Sequence, residues 1–85
     1  MRITIDIPDY DNNSIDVIWD KNGEYNLFIG QKEIYLSANR EALISFAKQF
    51  LYLASNDIDA GTHIHFDSFF TNGTRRDYDF VIEKL

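Results

Sequence analysis

The feature that most constrains the fold is a change in the spacing of apolar residues about halfway along a chain of 85 residues. Before the change, apolar and polar residues alternate, which is the spacing of half-buried strands. After it, apolar residues recur three and four positions apart, as in an amphipathic helix, and the alternation then returns near the C-terminus. A chain of this length predicts a single domain, residues 1–85.

The alternating stretches predict six strands around one helix. The strands are expected at residues 2–7, 14–20, 25–29, 33–36, 62–67 and 78–83, and the helix from Asn39 to about Ser55. Because the connections between successive strands are short, antiparallel pairing is the default. The predicted fold class is therefore α+β, a mostly antiparallel sheet in the order β-β-β-β-α-β-β with one amphipathic helix packed on one face.

The predicted helix has a side that should pack on the sheet and a side that should face solvent. Ser37 or Asn39 is suited to cap its start, and Glu41 suits the positive N-terminal end. Helical spacing assigns the following residues to the buried side: Leu43, Phe46, Ala47, Phe50 and Ala54. The opposite side carries Ser45, Lys48, Gln49 and Tyr52.

Composition excludes several classes of function. The chain has no cysteine, so it has neither a disulfide framework nor a thiolate metal site, and its formal net charge of −6 weighs against nucleic acid as a partner. No apolar run approaches the roughly 18 residues of a membrane helix, and residues 1–7 lack the apolar stretch of a signal peptide. We therefore expect a cytoplasmic protein that does not contact membranes. No motif for a cofactor or a nucleophile is present, and we expect neither cofactor nor catalysis.

The segment with most potential for chemistry is the predicted strand that carries His63, His65 and Asp67. Side chains two residues apart share one face of a strand, and imidazole and carboxylate are ligands of first-row metals. From His63 to Asp67 the strand spans about 13 Å, which is long for one small cation. These are the only two histidines in the sequence, so no further histidine is available to complete a coordination sphere. We therefore expect surface groups without a metal, while a small metal-dependent hydrolase remains the alternative.

One helix covers one face of a sheet, so the residues on the other face need a separate explanation. Alternation places Ile18, Phe28, Tyr35 and Val81 on that outer face. Such apolar residues indicate either a contact surface or ordinary scattered exposure. A homodimer whose outer sheet face packs on itself also stays open.

Three stretches of the second half of the chain carry a family resemblance. They are Leu36-Ser37-Ala38-Asn39-Arg40-Glu41-Ala42-Leu43, Gly61-Thr62-His63-Ile64-His65-Phe66-Asp67 and Asp79-Phe80-Val81-Ile82-Glu83-Lys84. Together they resemble the small bacterial immunity proteins numbered 32 in the polymorphic-toxin immunity series. The resemblance implies a protein that binds and neutralises a cognate toxin made by the same bacterium. Ser68, Phe69 and Phe70 stand where the family pattern has acidic residues, so the toxin itself is not identified.

The sequence thus predicts a binding protein that occludes a toxin by surface complementarity. The candidate contact residues lie on the later strands and the helix: His63, His65, Asp67, Asp77, Asp79 and Tyr52. A contact through the helix would instead present Lys48, Gln49 and Tyr52.

Overall fold

The computed structural model describes residues 1–8, 19–66 and 80–85. Within these ranges the elements follow the order β1 (Tyr25–Ile29), β2 (Ile34–Ala38), α1 (Arg40–Ala54), β3 (His63–Phe66) and β4 (Phe80–Glu83). The strands form two antiparallel sheets of two strands each, β1 with β2 and β3 with β4. The predicted α+β class with mostly antiparallel strands is confirmed.

The first hairpin forms where alternation predicted it. Leu27 pairs with Leu36 and Phe28 with Tyr35, and the turn closes through a 2.8 Å hydrogen bond from the Gly30 N–H to the Glu33 carbonyl. The second strand of this hairpin runs to Ala38, two residues beyond the predicted end. The reason is that Asn39, the first residue after β2, already belongs to the helix start and leaves no residues for a loop.

The strand predicted at residues 2–7 is wrong. Residues 1–8 adopt no regular secondary structure, and both Ile3 and Ile7 are exposed. Alternation favours a strand only where a neighbouring strand supplies the hydrogen bonds, and no described strand pairs with this segment. Most of the strand predicted at residues 14–20 lies outside the described residues.

The helix begins and ends as predicted. The side chain of Asn39 accepts a 2.9 Å hydrogen bond from the Ala42 N–H, Glu41 lies in the first turn, and Ser55 closes the C-terminus through its N–H to the Tyr52 carbonyl. Asn39, rather than Ser37, is therefore the N-cap.

The predicted buried side of the helix is largely wrong. The buried residues are Ala42, Ser45, Phe46, Gln49 and Leu53. Only Phe46 was assigned correctly, because Leu43 and Phe50 are 54% and 47% exposed. The first reason is steric: Trp19 and Tyr25 pack against Phe46, on the side of the helix where Ala42 and Ser45 are small. Ser45 joins this side because its hydroxyl oxygen accepts a 3.2 Å hydrogen bond from the Asp20 N–H.

Phe46 is the centre of an aromatic core that joins the two sheets. Its ring lies 4.9 Å from Trp19, 4.9 Å from Tyr25 and 5.1 Å from Phe66, measured between ring centroids. Trp19 is held in place by a 3.0 Å hydrogen bond from its indole Nε1 to the Gly23 carbonyl. A Cβ at Gly23 would lie 2.8 Å from that nitrogen, so the close packing of Trp19 requires glycine there.

The second hairpin places Ile64 and Phe66 in the core and its alternate residues outside. The pairing of β3 with β4 continues beyond the strands, since the Lys84 N–H donates to the Thr62 carbonyl and the Gly61 N–H donates to the Lys84 carbonyl. Gly61 has a φ of +90°, a backbone conformation that side chains with a Cβ rarely adopt. This glycine therefore allows the chain to turn into β3.

Candidate partner-binding surface

The outer face of the β3–β4 hairpin carries the two histidines side by side. His63 pairs across the sheet with Glu83, and His65 pairs with Val81; all four residues are exposed. The two imidazole rings are 5.0 Å apart between centroids and cross at 71°. The structure therefore places His63 and His65 together on a solvent-facing patch, which we call the histidine face (His63, His65, Val81 and Glu83).

A local hydrogen bond orients the first of these imidazoles. His63 Nδ1 lies 3.0 Å from the Gly61 carbonyl oxygen. Since a carbonyl oxygen only accepts, this contact requires the proton on Nδ1 and leaves Nε2 of the neutral ring as an acceptor. His63 is thereby preorganised to accept a hydrogen bond from a donor on a partner.

The remaining candidate residues differ in what the structure says of them. Asp67, Asp77 and Asp79 lie outside the described residues. Tyr52 is half-buried and packs against the core from the helix, whereas the histidines point away from the helix, so the structure does not bring Tyr52 together with them. Gln49 is completely buried, and its expected presentation to a partner is wrong. On that side of the helix, Lys48 is half-buried.

The described residues do not form a metal centre. No group of three or more His, Asp or Glu side chains within residues 1–8, 19–66 and 80–85 is arranged to hold a metal ion. The expectation that the histidine strand binds no metal stays a prediction, because Asp67 is not among the described residues.

The β1–β2 hairpin supplies a second exposed patch, which is apolar. Phe28 and Tyr35 are 61% and 54% exposed on its outer face, with ring centroids 6.4 Å apart. With Val81 on the other hairpin, three of the four predicted outer-face residues are therefore exposed; Ile18 lies outside the described part of the chain. Sequence reasoning missed the other face of this hairpin, where Ile29, Ile34 and Leu36 are exposed as well. These residues alternate in step with the buried Tyr25 and Leu27, so the sequence pattern does not distinguish them from core residues.

The phenol of Tyr35 lies against the Glu33 side chain. A hydrogen bond to the Glu33 side chain, with some desolvation, raises the pKa of Tyr35 above its usual value. The carboxylate of Glu33 accepts from the phenolic O–H, so loss of the proton would leave two anionic oxygens together. Like other tyrosines, Tyr35 is neutral near pH 7, and its exposed amphipathic ring is well suited to a protein contact.

A known protein family matches the part of the chain from β2 onward. The profile of the family described as Immunity protein 32 matches residues 33–85, more than half of the chain. The chain belongs to the Immunity protein 32 family. Membership implies a toxin as partner in general terms and a role that is not catalytic.

The part of the chain that matches Immunity protein 32 contains β2, α1, β3 and β4, and with them the histidine face. The first strand, β1, precedes it. No curated protein and no solved structure shows significant similarity to this chain. In the described ranges, α1 is too short and too polar to span a bilayer.

Proposed function

We propose that this Immunity protein 32 family member neutralises a cognate bacterial polymorphic toxin by binding it and occluding its surface in the cytoplasm. The observation that supports the proposal is the histidine face, which is exposed, lies within the part of the chain that matches the family, and faces away from the core. A protein that inhibits by occlusion needs such a preorganised outer surface and no catalytic group.

The histidine face offers both hydrogen-bonding and apolar contacts. His63 presents an acceptor nitrogen, its cross-strand partner Glu83 presents a carboxylate, and Val81 adds apolar area opposite His65. The acidic balance of the chain, −6, favours encounter with a basic partner. We propose that Asp67, Asp77 and Asp79 extend the same contact.

The test is co-expression with the C-terminal domain of the toxin encoded by the adjacent gene, followed by calorimetry on the purified pair. We expect His65→Ala to weaken binding by about ten-fold or more, which corresponds to ~1.4 kcal/mol or more and is the range of an important interface residue. Lys48→Ala on the helix should leave binding within about two-fold. The reverse pattern would move the contact to the helix, and a chain that neither binds nor protects would refute the proposed function.

A further inference from the structure

An apolar stripe on the exposed side of α1 has no partner among the described elements. Leu43, Ala47, Phe50 and Ala54 follow one another at intervals of four, three and four residues, and we call these four residues the helix stripe. Leu43 and Phe50 are about half exposed, Ala54 is exposed and Ala47 is half-buried. The neighbouring Leu51 is exposed too and widens the stripe.

The sheets contact a different side of the helix. Ala42, Phe46 and Leu53 belong to the core, together with the buried polar residues Ser45 and Gln49. The helix is therefore apolar on two adjacent sides, of which only one packs against other elements within residues 1–8, 19–66 and 80–85. Intervals of four and three residues are the spacing by which one helix packs against another.

We propose that the helix stripe binds a second copy of this chain, with the two α1 helices antiparallel about a two-fold axis. This proposal goes beyond toxin binding and does not depend on it. Along the helix stripe, large and small side chains alternate, and in an antiparallel pair the second helix presents them in the opposite order. One register then places Leu43 opposite Ala54 and Ala47 opposite Phe50. Each large side chain meets a small one, so the stripe is complementary to itself, as a two-fold interface requires.

The charges at the two ends of the helix fit the same register. Arg40, exposed at the first position of α1, faces the end of the second helix, where Asp57 is exposed in the turn after Ser55. The two-fold axis makes this contact twice. Lys48 lies about 100° around the helix from Ala47, so the axis does not bring two lysines together. A parallel pair would instead place Arg40 against Arg40 and Phe50 against Phe50.

The proposed interface is small. A helix of 15 residues is about 22 Å long, and its stripe offers less area than a stable dimer of globular proteins uses. We therefore expect reversible association, monomeric at low micromolar concentration and increasingly dimeric toward roughly 1 mM.

The first experiment measures mass against concentration by sedimentation equilibrium. The apparent mass of the natural chain should rise with concentration from 10.0 kDa toward twice that value. Leu43→Glu should abolish the rise, whereas Phe28→Glu on the outer sheet face should not change it. A strict monomer at 1 mM overturns the proposal, and so does a dimer lost in Phe28→Glu but not in Leu43→Glu. Circular dichroism spectra that match the natural chain would show that both variants are folded.

Charge reversal tests the register without touching the apolar contact. Arg40→Glu alone and Asp57→Lys alone should each weaken association by about three- to ten-fold, because each turns two weak attractions into repulsions. The double variant, or an equimolar mixture of the two single variants, should recover it. If Leu43→Glu abolishes dimerisation but the charge-reversed pair does not recover it, the proposed register is wrong.

Engineered cysteines give the orientation, in a chain that has none of its own. Under mild oxidation, a mixture of Leu43→Cys and Ala54→Cys chains should form the mixed disulfide dimer much faster than Leu43→Cys alone forms its own. Preferred self-linking of Leu43→Cys would show a parallel pair and overturn the proposal.

Discussion

The side chain of Asn39 accepts a 3.0 Å hydrogen bond from the backbone N–H of Glu24 and so joins the start of the helix to the residue before β1. The same oxygen accepts the capping hydrogen bond from the Ala42 N–H at 2.9 Å, and Asn39 Nδ2 donates to the Asn22 carbonyl at 2.8 Å. One side chain thus caps α1 and fixes the entry to the first hairpin.

Replacing Asn39 tests this double role. Asn39→Ala should lower the free energy of unfolding by about 2 kcal/mol, because it removes a helix cap and leaves the Glu24 N–H without that acceptor. Asn39→Asp keeps both accepted bonds and loses only the donation to Asn22, so about half of that loss is expected. Urea denaturation measures both. Equal losses in the two variants would show that the accepted bonds contribute little.

Phe46 and Phe50 provide a matched pair for the corrected helix face. Phe46 is 2% exposed at the centre of the core, and Phe46→Ala should cost ~3–5 kcal/mol. Phe50→Ala, one turn away on the exposed side, should cost about 1 kcal/mol or less. Both are measured by denaturant melts at low micromolar concentration. A greater loss in Phe50→Ala would restore the helix face that the apolar spacing alone predicted.

Lys84 fixes the segment between α1 and β3. Its ammonium donates 2.7 Å hydrogen bonds to the carbonyls of Ser55 and Ile58. Lys84→Met should cost about 1–3 kcal/mol, because the carbonyls lose a charged donor. Hydrogen exchange at the Ile58 amide, which donates to the Ser55 carbonyl, should become faster. Lys48→Met serves as the control, and an equal effect there would contradict a specific role of Lys84.

The contact between Tyr35 and Glu33 should make the stability of the fold depend on pH in the alkaline range. Because the pKa of Tyr35 is raised in the fold, by its hydrogen bond to Glu33 and then by desolvation, the protonated phenol favours the folded state. Its contribution is complete below the usual tyrosine pKa and is lost as the pH rises through the raised value. The ultraviolet titration of the tyrosines should shift toward lower pH in Glu33→Gln, because Tyr35 loses the carboxylate that raises its pKa. An unchanged titration curve would disprove the contact.

The histidine face should bind no metal tightly. Two imidazoles that cross at 71° on a strand supply two ligands, and the described residues supply no third, whereas a catalytic zinc site usually has three protein ligands. Zinc titration calorimetry on untagged protein should show no stoichiometric binding tighter than roughly micromolar. A stoichiometric metal that is lost in both His63→Ala and His65→Ala would revive the hydrolase alternative.

The candidate site was partly predictable from the sequence. Alternation alone put His63 and His65 on one face and Phe28 and Tyr35 on the outer face, because side-chain direction in a strand depends on nothing beyond its period of two. The burial of Gln49 was not predictable, because it depends on which side of the helix the hairpins reach. The exposure of Ile34 was missed for the same reason: alternation does not say where the covering layer stops.

The sequence by itself determined the elements from Tyr25 onward that the structure describes. Alternation, the Gly30 turn and the Asn39 cap act between residues close in the chain, so their signals are local. The tertiary structure decided which side of α1 is buried. Helical spacing favoured Leu43 and Phe50, but Trp19, Tyr25 and Phe66 converge on Phe46 from the side where Ala42 and Ser45 leave room for their rings. Hydrophobic burial has no direction of its own, so steric fit between distant segments chose between two apolar sides of one helix.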